Sequence, residues 1–240
     1  MAFIDWKYTV NFWKGKLGLR KTSPSKVLPA KNIEITKPIE NTSGSSWDAF
    51  DPEFIMSDEE FLDADSMSEN QIQEFLVSKG GVILPDYKID SHLVSYWMAK
   101  HCQEQGLNPK VLMTHMQKEM GAVTRKTPYK KQRTYDYILG VGATDGGDKE
   151  KWAGMDRQLL GAAQTCVKWH KRGTKENTYP MTNYNASDRK GLKIRNSATF
   201  SLYKYTPWVG DEDKQIGKNL YKSPFGNYLF WKVYRGFFNK

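Results

Sequence analysis

The chain is poor in cysteine and histidine and has no long apolar run. Two cysteines, Cys102 and Cys166, in 240 residues are too few for a disulfide framework, and neither sits in a CxxC or Cys/His spacing. Both fall in segments that read as helices, which predicts buried free thiols, with no metal and no other cofactor. No stretch approaches the roughly 18 apolar residues of a membrane span, so no spanning segment is expected. The N-terminal MAFIDWKYTVNFWKGK lacks a basic flank followed by a hydrophobic run, and no Sec export signal is visible.

Hydrophobic residues make up 39% and aromatics 13% of the chain, enough to build a packed interior and to exclude global disorder. The length suits one main domain with an extension. The net charge of +9 is unevenly spread: +5 over residues 1–45, −10 over 46–90 and +14 over 91–240. Such a field concentrates polyanions, whether nucleic acid, an anionic membrane or a cell wall bearing carboxylates and phosphates.

Residues 14–47 are rich in Lys, Ser, Thr and Pro and show no apolar period that builds a core. Ahead of them Phe3, Ile4, Trp6, Tyr8, Val10, Phe12 and Trp13 crowd large apolar groups into a segment without a domain of its own. Residues 1–47 are therefore expected to be an extended arm that docks either on another protein or back on this chain. Residues 48–240 form the expected globular domain.

From Phe50 onward the punctuation is helical. Ser57 to Glu60 and Ser68 to Gln71 each fit a capping box, in which a hydroxyl and a carboxylate or amide satisfy orphan amides reciprocally. A helix is predicted over 91–105, with Leu93, Tyr96, Trp97 and Lys100 at helical spacing and Gly106 as its stop. Asn108 as N-cap and Pro109 at the first helical position predict a further helix ending at Gly121. Others are expected at 156–170, 196–206 and 226–237, the last with Phe230, Val233, Tyr234 and Phe237 as a core stripe. Strands are scarce, and the fold class is mainly α.

On the helix that ends at Gly121, Leu112, His115, Met116 and Glu119 share one stripe, so Glu119 faces inward or into a cleft. Burial and the negative end of the helix dipole both disfavour its charged form, which suits a general acid. The competing expectation is a helix-end carboxylate paired with Lys118 or Arg125.

The segment GLNPKVLMTHMQKEMGAVT resembles the helix–glutamate element of lysozyme-like domains in bacterial and phage cell-wall hydrolases. Four more stretches resemble that family in the same order. They are FDPEFIMSDEEFLDADSMSENQIQEFLVSKG, then ILGVGATDGGD with WAGMDRQL, then NSATFSLYKYTP, then FGNYLFWKVY. The likeness covers roughly residues 50–240, with Met120 standing where that element commonly has Gln or Ser. It implies a mainly α, lysozyme-like domain with a catalytic cleft. It further implies that Glu119 is the acid that cleaves peptidoglycan glycan strands, as a muramidase or lytic transglycosylase.

Two-carboxylate glycoside cleavage needs a second acid. Asp145, Asp148 and Asp156 are candidates. Asp145, in the glycine-rich loop GVGATDGGD, is favoured, and Asp156 is expected to cap the following helix. Lytic transglycosylases resembling this domain act with one carboxyl group and yield a 1,6-anhydro sugar. Tyr137, Trp152, Tyr203, Tyr205 and Trp208 are the candidates to line a groove, because flat amphipathic rings stack on sugar faces; the family's YTP element points to Tyr205.

Two other readings compete. The sequence pI of about 9.3 and the interleaved KTPYKKQRTYDY would suit a nucleic-acid binder, but no nucleic-acid motif accompanies them. A phage tail or virion component with a lysozyme-like fold, anchored through the arm, would suit the N-terminal segment and need not exclude catalysis. A phage-encoded enzyme held in the virion or host cytoplasm before release, acting at the bacterial wall, fits the absence of a visible signal.

Overall fold

Helix ends follow the capping chemistry written in the sequence. The computed structural model describes residues 50–144, 146–175, 183–211, 214–216, 219–221 and 224–238. The expected arm at 1–47 and the favoured second acid, Asp145, lie outside these residues. Helix α1 (Asp58–Leu62) starts where the Ser57 hydroxyl accepts the Glu60 amide proton at 3.1 Å. The box is only half formed, because Glu60 Oε1 instead accepts the Tyr234 hydroxyl at 2.9 Å. Helix α2 (Glu69–Ser78) carries the complete Ser68–Gln71 box.

The strands β1 (Lys88–Ile89) and β2 (His92–Leu93) form a minimal hairpin turned by Asp90 and Ser91, both at positive φ. Helix α3 (Val94–Gln105) therefore begins three residues later than the spacing predicts. Its inward face is Val94, Met98 and Cys102, while Tyr96, Trp97 and Lys100 lie on the half-buried side. Helix α4 (Pro109–Met120) is capped as expected: Asn108 Oδ1 accepts the Lys110 amide proton at 2.9 Å, and Gly121 closes it at φ +64.

Beyond a short helix α5 (Gln132–Asp136), helix α6 (Met155–Lys175) runs longer than predicted and packs against α3 and α7 (Ser197–Tyr205). A hairpin of β3 (Lys214–Ile216) and β4 (Asn219–Tyr221) precedes helix α8 (Gly226–Phe238), which lies on α4. The described residues are thus mainly α. Leu112, Met113, Leu159, Phe200 and Phe230 belong to one continuous buried cluster drawn from all the long helices. Cys102 and Cys166 are free and buried within it, and burial pushes both thiols up, Cys166 to about 12. Among the described residues no helix is long and apolar enough to cross a membrane.

The C-terminal helix is held by a close backbone crossing. A Cβ on Gly210, at φ +89, would lie 1.9 Å from the Phe225 carbonyl oxygen, and the Asp188 carboxylate accepts the Val209 and Gly210 amide protons at 2.9 Å each. No side chain fits without moving backbone. Gly210→Ala is therefore expected to destabilise the protein by at least about 2 kcal/mol, read as a lower urea midpoint. An unchanged midpoint would show that the crossing relaxes freely.

Candidate active site

The stripe that sequence assigns to α4 is buried for most of its length and opens at its end. Leu112, His115 and Met116 are fully buried, and the Glu119 side chain is 11% exposed. Glu119 pairs with its neighbour: Lys118 Nζ lies 2.7 Å from Glu119 Oε1. Adjacent helix positions point about 100° apart, so this contact requires the long Lys118 stem to fold back. The Lys118 side chain is only 4% exposed, its ammonium also donates to Thr206 Oγ1 just beyond α7, and it sits 5.7 Å from the Tyr205 ring. Arg125, the other partner considered from sequence, turns away to the Thr127 carbonyl and the Tyr129 ring.

Lys118 and Glu119 thus form a largely buried ion pair at the end of α4.

Tyr205 lies beneath this pair. Its hydroxyl donates to the Leu139 carbonyl at 2.9 Å, and burial, then the Glu119 charge, raises its pKa well above the ordinary tyrosine value. Both expected cleft tyrosines of α7 are core residues: Tyr205 is 1% exposed, and Tyr203 is fully buried with its hydroxyl on the Pro52 carbonyl. Two places apart on a helix, these rings point about 200° from each other, and both end in the core because α7 is buried on nearly every side. Tyr205 shapes the site from below, linking the end of α4 to the loop at 139.

The other predicted rings are half-buried. Trp208 meets Phe225 edge-on, Tyr137 lies under the Arg133 guanidinium at 5.7 Å, and Trp152 seats against Gly142 and Gly161. Gly142 thus makes room for an indole. The loop around it is shaped by Gln158, a buried side chain that the sequence did not single out. Its Oε1 accepts the Leu139 and Val141 amide protons, and its Nε2 donates to the Val141 and Trp152 carbonyls at 2.8 and 2.6 Å.

The alternative second acids are engaged elsewhere. Asp148 forms a two-point ion pair with Arg133. Asp156 lies within the first turn of α6 instead of capping it, and its Oδ1 is 2.6 Å from His101 Nε2. Among the described residues no group of three or more His, Cys, Asp or Glu is placed to hold a metal ion. A groove of about 420 Å³ lined by Phe75, Phe237 and Phe238 with Lys110 lies at the first turn of α4, the opposite end from Glu119.

His115, one turn before Glu119, packs its ring against Tyr205 and Phe230 at 4.0 and 4.9 Å, and among the described residues neither ring nitrogen has a hydrogen-bond partner. Burial, then the Lys118 charge, lowers its pKa well below the ordinary histidine value. Below about pH 6.5 the unfolded chain takes up a proton here that the folded chain refuses. Stability from the neutral ring is fully present above that pH and is lost as pH falls, by up to about 1.4 kcal/mol per unit. His115→Leu is accordingly expected to flatten the fall in urea stability between pH 7 and pH 5. Parallel curves for the two proteins would contradict the assignment.

No family model, curated protein or solved structure matches the chain.

Proposed function

We propose that this protein cleaves the glycan strand of peptidoglycan at a β-1,4 bond between N-acetylated amino sugars, with Glu119 as the general acid. The observation that carries the reading is the setting of Glu119. It is a carboxyl group at the glycine-capped end of a buried helix, largely enclosed yet open to solvent, and held by a buried ammonium. The ordered likeness of five segments to lysozyme-like domains supports the same assignment.

In this reading a sugar strand runs across the open end of α4 in a lysozyme-like cleft. Glu119 protonates the leaving glycosidic oxygen. Trp152, Tyr137 and Trp208 are the half-buried rings that offer faces to sugars, and Asp145 is the second carboxylate where the chemistry uses one. The N-terminal arm anchors the enzyme to a phage tail or virion, from which it acts on the bacterial wall.

The test is digestion of purified peptidoglycan by the full-length protein, with mass spectrometry of the fragments. Anhydro-muramic ends identify a transglycosylase and reducing muramic ends a muramidase. Reducing glucosamine ends identify a glucosaminidase. Intact glycan after prolonged incubation with folded protein would sink the proposal.

A further inference from the structure

From Met120 to Tyr135 the chain has no acidic residue and carries Arg125, Lys126, Lys130, Lys131 and Arg133. This strip is built onto the candidate site. Gln117, on the last turn of α4, accepts the Val123 and Thr124 amide protons at 3.1 Å each and donates to Thr124 Oγ1 at 2.9 Å. Tyr129 then returns its hydroxyl to the carbonyl of Met120, the residue after Glu119, at 2.9 Å. The strip therefore starts at the end of α4 and is held beside it.

Its cations differ in what already engages them. Arg133 is paired with Asp148. Arg125 rests 4.7 Å over the Tyr129 ring and donates Nε to the Thr127 carbonyl, which spends none of its charge. Lys126 donates to the Gly80 carbonyl at 2.6 Å, again a neutral acceptor, and Lys130 and Lys131 are exposed. These four positive charges have no carboxylate partner among the described residues, and Lys126, Lys130 and Lys131 stand at exposed positions while Arg125 is half-buried.

The rings between them are occupied. Tyr129 carries Arg125 and meets Tyr135 edge-on at 5.1 Å, and Tyr135 stacks on Tyr87. Proteins that hold single-stranded nucleic acid combine cations with open aromatic faces for bases. Here the faces are taken and only the cations are offered, which suits a polymer with phosphates but no bases. An Arg fork and a row of Lys point charges match phosphodiesters.

We propose that Arg125, Lys126, Lys130 and Lys131 bind the phosphodiester polymer of an anionic cell wall, keeping the protein on the strands that carry it. The partner's identity rests on the peptidoglycan reading above; the strip itself does not.

The experiment is co-sedimentation of full-length protein carrying Glu119→Gln, so that binding is read without cutting. It uses sacculi that retain their covalently attached phosphodiester polymer, and the same sacculi stripped of it with hydrofluoric acid. Binding to intact sacculi is expected to be at least about tenfold tighter than to stripped ones and to weaken as salt rises from about 50 to about 200 mM. Replacing all four cations with Gln removes that advantage and leaves binding to stripped sacculi unchanged. Lys130→Gln/Lys131→Gln, at two exposed positions, lowers it in the same direction by less and guards against misfolding. Equal binding to both sacculi, full binding by the four-site variant, or tighter binding to a single-stranded oligonucleotide would each overturn the proposal. Cleavage of stripped sacculi by the protein with Glu119 intact is scored separately, and its failure would sink the catalytic reading alone.

Discussion

Glu119→Gln is expected to slow glycan cleavage by about 10²- to 10⁴-fold, the usual contribution of a positioned general acid. The amide keeps the shape of the side chain and an oxygen that accepts from Lys118, so the end of α4 keeps its geometry. What it loses is the proton that a leaving glycosidic oxygen must receive. Release of reducing or anhydro ends from purified peptidoglycan measures the loss, with thermal unfolding of both proteins run in parallel. If the variant cut as fast as the parent, Glu119 would drop out of the mechanism whatever the chain does to the wall. A loss of cutting accompanied by unfolding would assign the residue a structural role.

Lys118→Met should produce the largest stability effect among the polar positions, about 3 kcal/mol, the lower end of the range for removing one partner of a buried ion pair. Lys118 is 4% and Glu119 11% exposed at the side chain, so solvent compensates the orphaned carboxylate poorly. Thr206 loses its donor at the same time. The double variant Lys118→Met/Glu119→Gln should recover much of the loss, because no buried charge is then left alone. Urea unfolding of the four proteins gives the coupling between the two sites. A Lys118→Met protein within about 0.5 kcal/mol of the parent, the usual range for an unremarkable surface change, would mean that the pair is solvated and that the geometry described for Glu119 is wrong.

Helix ends were legible because capping is local. Asn108, Pro109 and Gly121 bound α4, and Ser68 with Gln71 starts α2, through hydrogen bonds made within a few residues of each other. The half-formed box at Ser57 shows where that logic stops. Glu60 had a local amide to accept from and a distant tyrosine hydroxyl, and Tyr234 on α8 won. The same limit applies to α3, where Asp90 and Ser91 turn a hairpin that the helical spacing of Leu93, Tyr96, Trp97 and Lys100 did not disclose.

At the candidate site, the stripe through Leu112, His115, Met116 and Glu119 was readable from a period of 3.6. The sequence also named Lys118 as a possible partner of Glu119, but the depth of that pair depends on Thr206 and Tyr205, far along the chain. Periodicity says which residues share a face; it does not say what covers the face. For Tyr203 and Tyr205 it is distant segments, at Pro52 and Tyr184 for one and at His115 and Leu139 for the other, that made core residues of rings the sequence had offered to a sugar.

Sequence alone, then, determined that the described part of this protein is mainly helical, where most of its helices begin and end, and that Glu119 shares an apolar stripe near the end of its helix. These follow from interactions spanning a few residues. Tertiary structure alone decided that Lys118 is buried against Glu119, that Tyr205 supports the site from beneath, and that Gln158 moulds the loop at 139–142. Each of those depends on which distant segment desolvates a side chain and supplies its hydrogen-bond partner, and that is settled only when the helices pack.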